Sequence, residues 1–421
     1  MASSNKELTK ARNAARDEFY TRYEDIEKEM NAYPDAFRDK TVLLPCDDPS
    51  SSEFTRYFAA NFTRLGLKKL ISTSYAKGAK NRQPDLFEIN SSNYDPKKHD
   101  SRGKLFVITR NASNSEAKID EDSIRFQGYL EGDGDFRSRE VCALRDEADI
   151  IVTNPPFSQF RDFLAWILEA EKKFIILGNI NAVTYKEVFP YLRNNQIWLG
   201  NSIHSGDRLF YVPDDYPLLA ANCGIDSKGK QFVRVKGVRW FTNLSHSGRN
   251  QPLQLDTMEN NLRYNKTLIK ELSKKYGMST YPRYDNYDAI EVPFSSAIPS
   301  DWEGVMGVPI TFLDKYDPNQ FDIVSLRKGE NGENLVLTPE REREINCRIL
   351  SMHDSDPRED QECRRTDKWQ AYLRSNNNYP QKMPVDVIYP LSTNLQNGLV
   401  IDCTILGKKT YVRMLIRKKE K

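Results

Sequence analysis

Short runs that are almost wholly apolar recur through the first half of the chain, and segments of helical spacing separate most of them. TVLLP at 41–45, LKKLISTSY at 67–75, KLFVITR at 104–110, DIIVT at 149–153 and FIILGNI at 174–180 predict strands. A helix is expected from Asp17 to Met30, where Phe19, Tyr23, Ile26 and Met30 recur at three- and four-residue steps. A second starts near Ser52, with Phe54, Tyr57, Phe58 and Phe62 on its inner face, and REVCALRDEA and FSQFRDFLAWILEAEKK predict two more. YKEVFPYLRNN and QIWLGN repeat the alternation. Apolar strands separated by helices imply an α/β fold with a parallel sheet covered on both faces. Ligands of such sheets sit beyond the carboxyl ends of the strands. Three polar turns are assigned to that edge: CDDP at 46–49, GDGDF at 132–136 and NPPF at 154–157.

Beyond residue 205 the texture changes. FVRVKGVRWFTNL at 232–244 alternates like an antiparallel strand pair, and the Tyr-, Asn-, Pro- and Gly-rich sequence to about 330 reads as short strands and ordered loops. Residues 328–385 are strongly charged, with a short helix expected in LTPEREREINCRIL, and the chain ends in two β-like runs, GLVIDCTIL and KTYVRMLIRKKEK. The expected division is an N-terminal tail and helix at 1–40, an α/β core at 41–204, a second region at 205–330 and a charged C-terminal extension at 331–421. No internal repeat is visible.

Composition narrows the class only slightly. A formal net charge of +2 neither demands nor excludes nucleic acid, so any such footprint must be a local basic patch. Six cysteines in 421 residues are too sparse for a disulfide framework, and with four scattered histidines they give no zinc spacing. No metal is expected. No apolar run approaches the length of a membrane span, and the N-terminus lacks the core of a signal peptide. The expectation is a soluble cytoplasmic protein.

The tetrapeptide Asn154–Pro155–Pro156–Phe157 carries the most specific chemistry. Two prolines rule out a strand or helix interior, so the chain turns there with a nearly fixed backbone. An exocyclic amine on a flat heterocycle is a poor nucleophile because its lone pair is delocalised into the ring. The Asn154 side-chain oxygen and the Pro155 carbonyl can accept its two N–H bonds, favouring a pyramidal, more nucleophilic nitrogen. Phe157 can stack on the base, which has to be flipped out of its helix. The competing reading is a rigid turn with Phe157 as a lid on the core. Phe160 and Phe163 are expected in the core. In CDDP, Asp47 or Asp48 could bind a nucleoside-like cofactor, or the turn could simply cap the following helix through Ser50 or Ser51. Asp135 and Phe136 could hold and cover an adenine ring, or the loop could be only a glycine-shaped turn.

Read together, RDEFYTRYEDIE, LLPCDDPSSSEFTRYFAANFTRLGLKKLI, GDGDFRS, ADIIVTNPPFSQFRDFLAWI, KKFIILGNINAVTYKEVFP, QIWLG, VRWFTNL, YDNYDAIEV and GVMGVPITFLDKY resemble, in this order, the EcoRI-type adenine-specific DNA methyltransferase family over roughly residues 15–330. The resemblance implies a Rossmann-like fold with a mostly β/loop DNA-recognition region. It implies methyl transfer from S-adenosylmethionine to N6 of a flipped-out adenine in double-stranded DNA, as in restriction–modification. Asn154, Pro155, Pro156 and Phe157 would form the catalytic loop. Phe19 and Tyr20 would close over the methionine part of the cofactor. Cys46, Asp47 and Asp48 would form its first loop, Asp135 and Phe136 would lie near its adenine, and Asn154 would border it. The usual acidic residue at the end of the second strand is absent, because that strand ends ISTSY. Arg234, Lys236, Arg239 and Trp240 are the candidate DNA contacts. No cysteine lies in the catalytic loop, which speaks against cytosine C5 methylation. Alternatives are a methyltransferase acting on RNA or a protein glutamine, and a catalytically silent DNA-binding relative. A cognate nuclease would be a separate chain, and a monomer suffices for one flipped base.

Overall fold

The structure is a computed structural model that describes residues 19–48, 52–76, 89, 91–110, 126–213, 216, 218, 222–284, 288–326, 403–405, 408–410 and 412–419. Residues 1–18, including the first two positions of the helix expected from Asp17, and the helix expected in LTPEREREINCRIL lie outside the described residues. The chain divides into two compact units, Met1–Arg249 and Asn250–Lys421.

Among the described residues the first unit has eleven strands: β1 Thr41–Leu44, β2 Lys69–Thr73, β3 Lys104–Thr109, β4 Phe126–Tyr129, β5 Ile150–Thr153, β6 Lys173–Asn179, β7 Trp198–Leu199, β8 Asp207–Tyr211, β9 Cys223–Ile225, β10 Gln231–Lys236 and β11 Val238–Thr242. Eight of them form one sheet in the order β4-β3-β2-β1-β5-β6-β11-β7. Its centre, β2-β1-β5-β6, is parallel, and β1 and β5 are buried along their whole length. Its flanks are antiparallel: β3 runs against β2, β4 against β3, β11 against β6 and β7 against β11. The sheet is therefore mixed rather than parallel throughout. KLFVITR gives no sign of its direction, because an apolar strand reads the same either way.

Helices α2 Glu53–Ala60, α3 Arg139–Glu147 and α4 Phe160–Glu169 fall where the sequence places them, whereas α1 spans only Tyr23–Met30: the helix expected from Asp17 does not include Phe19 and Tyr20, because Tyr20 forms an antiparallel bridge with Tyr211 instead. Ser52 caps α2 by accepting from the Phe54 N–H, and Ser138 caps α3 through Val141. Phe54, Tyr57 and Phe58 of α2 and Phe160, Phe163, Leu164 and Ile167 of α4 are buried, as amphipathic spacing requires. Glu29 of α1 is fully buried but satisfied, accepting from the Tyr33 hydroxyl and the Asn201 and Ser202 N–H groups.

The expected antiparallel pair at 232–244 is divided between two sheets. β10 pairs with β8 and β9 in a three-stranded ribbon, whereas β11 joins the large sheet. Gly237, at φ 73°, makes the turn between them. The large sheet thus continues past residue 204 to Thr242.

The second unit contains β12 Ala289–Glu291, β13 Val305–Pro309, β14 Phe321–Leu326, a short hairpin of β15 Thr404–Ile405 and β16 Lys408–Lys409, and β17 Arg413–Lys418. The C-terminal strand β17 lies between β13 and β14, antiparallel to both. Two helices, α5 Met258–Tyr264 and α6 Lys266–Tyr276, occupy a stretch that the sequence pattern assigns to strands and loops. Thr257 and Asn265 cap them, and α6 ends at Gly277 in the left-handed region. Within this unit Arg413 makes a bidentate pair with the fully buried Glu291, to which Tyr276 and Tyr284 also donate. A Cβ at Gly307 would collide with the Tyr284 hydroxyl, so the sheet excludes any side chain there.

Among the described residues no helix is long and apolar enough to cross a membrane, and no group of three or more His, Cys, Asp or Glu is placed to hold a metal ion.

Candidate active site

The three polar turns meet at the carboxyl edge of the parallel strands, joined by hydrogen bonds rather than by proximity alone. Asp47 follows β1 and is buried. Its Oδ2 accepts from the Thr153 hydroxyl at 2.6 Å, and its Oδ1 from the Ser52 hydroxyl at 2.7 Å. Thr153 immediately precedes Asn154, so one carboxyl ties CDDP to NPPF and, through Ser52, to the start of α2. Ser72 donates to the Asp47 carbonyl and shares a hydrogen bond with Thr55, and Thr73 donates to the Pro45 carbonyl. These hydroxyls at the end of β2 stand where the family resemblance leads one to expect an acidic residue.

The GDGDF loop is fastened to the same edge. Asp133 accepts at its carbonyl from Ala76 N–H, and Gly132 from Gly103 N–H. Gly134 has φ 84°, and a Cβ there would collide with the Ser74 carbonyl oxygen. That approach explains the glycine. Arg137 reaches Asp135 and also donates to Gln159 beyond NPPF.

Within NPPF, Pro155 is buried and Phe157 half-buried. Asn154 Nδ2 donates to the Phe19 carbonyl at 2.6 Å, while its Oδ1 is buried without a hydrogen-bond partner among the described residues. A carbonyl can only accept, so this bond fixes which end of the amide faces away. Buried acceptors are nearly always satisfied, and an orphan needs a reason.

Electrostatics favour neutral groups at this edge. Burial raises the Asp47 carboxyl to about 7, against the opposing hydrogen bonds of Thr153 and Ser52. Burial and the Asp47 charge push the Cys46 thiol up, which leaves no thiolate nucleophile there.

The other candidates fall as follows. Phe19 is buried, its ring 5.7 Å from that of Phe157 and 5.9 Å from that of Phe210. Tyr20 pairs with Tyr211 of β8. Asp48 lies 3.8 Å from Lys104, both side chains largely buried. Phe136 packs edge-on against Phe163 and Trp166 and carries Arg137 on its face, so its ring belongs in part to the core. Arg234 and Lys236 are exposed on β10. Arg239 and Trp240 are not surface residues, which corrects their assignment as DNA contacts. Trp240 is 1% exposed, and Arg239 is 3% exposed and donates to the Val238 and His204 carbonyls. They belong to β11, a sheet strand buried on both faces, not to the ribbon. Sequence reasoning missed the Phe19 carbonyl, Thr153 and Ser52. A backbone acceptor has no sequence signal, whereas Thr153 directly before Asn154 could have been noticed.

A mixed α/β sheet with a parallel centre, and a rigid amide-bearing loop at its carboxyl edge, are consistent with a Rossmann-like methyltransferase fold. Comparison with known proteins makes this specific. The family model described as "Adenine-specific methyltransferase EcoRI" matches residues 7–419. The type II methyltransferase M.EcoRI of Escherichia coli is 41% identical over 337 residues, covering 80% of this chain and 93% of that protein. Type II methyltransferase M.MpnI of Mycoplasma pneumoniae is 34% identical over 319 residues, covering 75% of this chain and 84% of that protein. M.MgeORF184P of Mycoplasma genitalium is 33% identical over the same length. No solved structure gave a significant match. The chain belongs to the EcoRI adenine-specific methyltransferase family. It is an S-adenosylmethionine-dependent, site-specific DNA adenine N6-methyltransferase.

Proposed function

We propose that Asn154 Oδ1 and the Pro155 carbonyl accept the two N–H bonds of the flipped adenine amine, with Phe157 against the base. The observation that supports this most directly is the buried, unpartnered Oδ1. Accepting both protons draws the nitrogen lone pair out of the ring and aims it, and the two prolines keep the acceptors from relaxing. S-adenosylmethionine supplies an electrophilic methyl group; the chain supplies the orientation, and no covalent enzyme intermediate is required. The residues fit that task, since the edge offers an open acceptor and hydroxyl-rich strand ends.

Asp48, Asp135 and the backbone at the ends of β1 and β2 would hold the cofactor, with Cys46 and Phe136 beside it and Tyr20 at the closing segment. Asp47 acts one step back, because both its oxygens already serve Ser52 and Thr153. The exposed Arg234 and Lys236 of β10 contact the duplex. The enzyme acts as a cytoplasmic monomer, since one flipped base needs one site, and any nuclease for the same sequence is a separate chain.

The test is methyl transfer from labelled S-adenosylmethionine to mixed-sequence duplex DNA and to RNA, with the modified nucleoside identified. N6-methyladenine in DNA is the expected product. Transfer to RNA alone would overturn the reading.

A further inference from the structure

Asn154 presents an oxygen and an NH2 group of nearly equal size at the end of one rotatable bond. Sterics alone do not decide which end faces the substrate; hydrogen bonding does. Here the decision is made by a backbone atom from the other end of the unit. The Phe19 carbonyl takes the Nδ2 hydrogen at 2.6 Å and leaves Oδ1 open. A flipped amide would set oxygen against oxygen and offer the substrate amine a donor instead of an acceptor.

That carbonyl is anchored in turn. The next residue, Tyr20, donates its N–H to the Tyr211 carbonyl at 2.8 Å and accepts from Tyr211 N–H at 3.0 Å. Tyr211 ends β8, which pairs along its length with β10, the strand carrying Arg234 and Lys236. The rings repeat the connection. The rings of Phe19, Phe157 of the catalytic loop and Phe210 of β8 form a triangle, with Phe19 5.7 Å from Phe157 and 5.9 Å from Phe210, and Phe157 6.2 Å from Phe210. A continuous path of packed rings and hydrogen bonds therefore runs from the ribbon through Phe19 and Tyr20 to the catalytic amide.

We propose that Phe19 and Tyr20 form a positioning clip: the Phe19 carbonyl sets the orientation of the Asn154 amide, and the Tyr20–Tyr211 bridge holds that carbonyl to the β8–β10–β9 ribbon. This rests on the reading of Asn154 as the amine acceptor and gives the N-terminal segment a task in the transfer step beyond closing over the cofactor. A ribbon displaced from its place pulls the carbonyl away and lets the amide turn, so the state of the ribbon is transmitted to the acceptor.

The test is Tyr20→Pro in the full chain, which removes the N–H given to Tyr211, compared with Tyr20→Ala, which keeps both backbone groups. Cofactor and duplex affinities and the single-turnover transfer rate at saturating cofactor and DNA are measured for each. The clip predicts a rate at least tenfold lower for Tyr20→Pro than for Tyr20→Ala, with cofactor affinities of the two variants within about threefold. A Tyr20→Pro defect that lies wholly in cofactor affinity, with the saturated rate equal to that of Tyr20→Ala, would overturn the clip and leave only a closing segment. Equal losses in both variants would also overturn it, because the side chain and not the bridge would then be responsible. Asn154→Ala separates the two levels. If it transfers at the parent rate, the acceptor reading itself fails; if it is inactive while the Tyr20 variants match, only the clip fails.

Discussion

Each unit buries a polar cluster, and the two clusters are finished differently. In the second unit Glu291 and Arg413 face each other with Tyr276 and Tyr284 donating to the same carboxylate, so its acceptors are taken. At the strand edge of the first unit, Asp47 is likewise closed by Thr153 and Ser52, but the neighbouring Asn154 keeps a buried oxygen without a partner among the described residues. A closed cluster specifies packing and gains nothing from a ligand. An open one carries a standing desolvation cost, which an incoming donor removes. The difference sets Asn154, in the NPPF loop, apart from the closed pair in the second unit.

The sharpest way to break the comparison is to open the closed cluster. Arg413→Ala leaves Glu291 buried and uncompensated and should cost about 3–5 kcal/mol, seen as early loss of the second unit in thermal or urea unfolding. The double variant Glu291→Gln with Arg413→Met should be less damaging than Arg413→Ala; if it is worse, the pair contributes net stability beyond satisfying itself. Burial pulls the Glu291 carboxyl up, but the hydrogen bonds and charge of Arg413 outweigh this and hold it below its ordinary value. Its contribution is therefore present above about pH 4.5, the unfolded value, and is lost as pH falls through the lowered one.

Asp47 should show the opposite slope. Its folded value of about 7 lies above the ordinary 3.8, so the folded state holds the proton longer. The contribution is complete below about pH 4 and is lost as pH rises toward 7, by up to about 4 kcal/mol at 1.36 kcal/mol per unit. Stability measured from pH 4 to 8 should fall more steeply for the parent than for Asp47→Asn. Parallel curves would mean that Asp47 is ionised throughout and that the cluster is not closed by burial.

The smallest effect is expected at the ribbon. Replacing Arg234 and Lys236 by Ala should weaken duplex binding and lower the slope of log affinity against log salt by about 0.9 for each phosphate that is no longer neutralised. An unchanged slope would remove β10 from the DNA surface.

Much of this is legible in the sequence because the strands of a covered parallel sheet are apolar throughout and the NPPF turn cannot be anything but rigid. β1, β2, β5 and β6, the helices that follow β1 and β5, and the convergence of the three turns all follow from pattern. The direction of β3 does not, since alternation and burial are blind to polarity. The separation of β10 from β11 is hidden in one glycine, and it carries Arg239 and Trp240 into the sheet. Helices α5 and α6 escape notice because few of their residues are buried, Leu268 and Leu272 among them, amid Asn and Lys. β17 pairs with strands about a hundred residues earlier, which no local window can see. In the site, the residue types are legible but their partners are not. Asp47 looks from sequence like a cofactor ligand when it reaches for Thr153, and the atom orienting Asn154 is a main-chain carbonyl.

The most direct measurement is single-turnover methyl transfer to duplex DNA by the parent and by Asn154→Ala, with cofactor affinity and thermal stability recorded alongside. An open acceptor that serves the substrate amine predicts a fall of about 100- to 1,000-fold in the transfer rate, with cofactor affinity and stability close to the parent. A variant that transfers at the parent rate, or that loses activity only because it unfolds, would contradict the account.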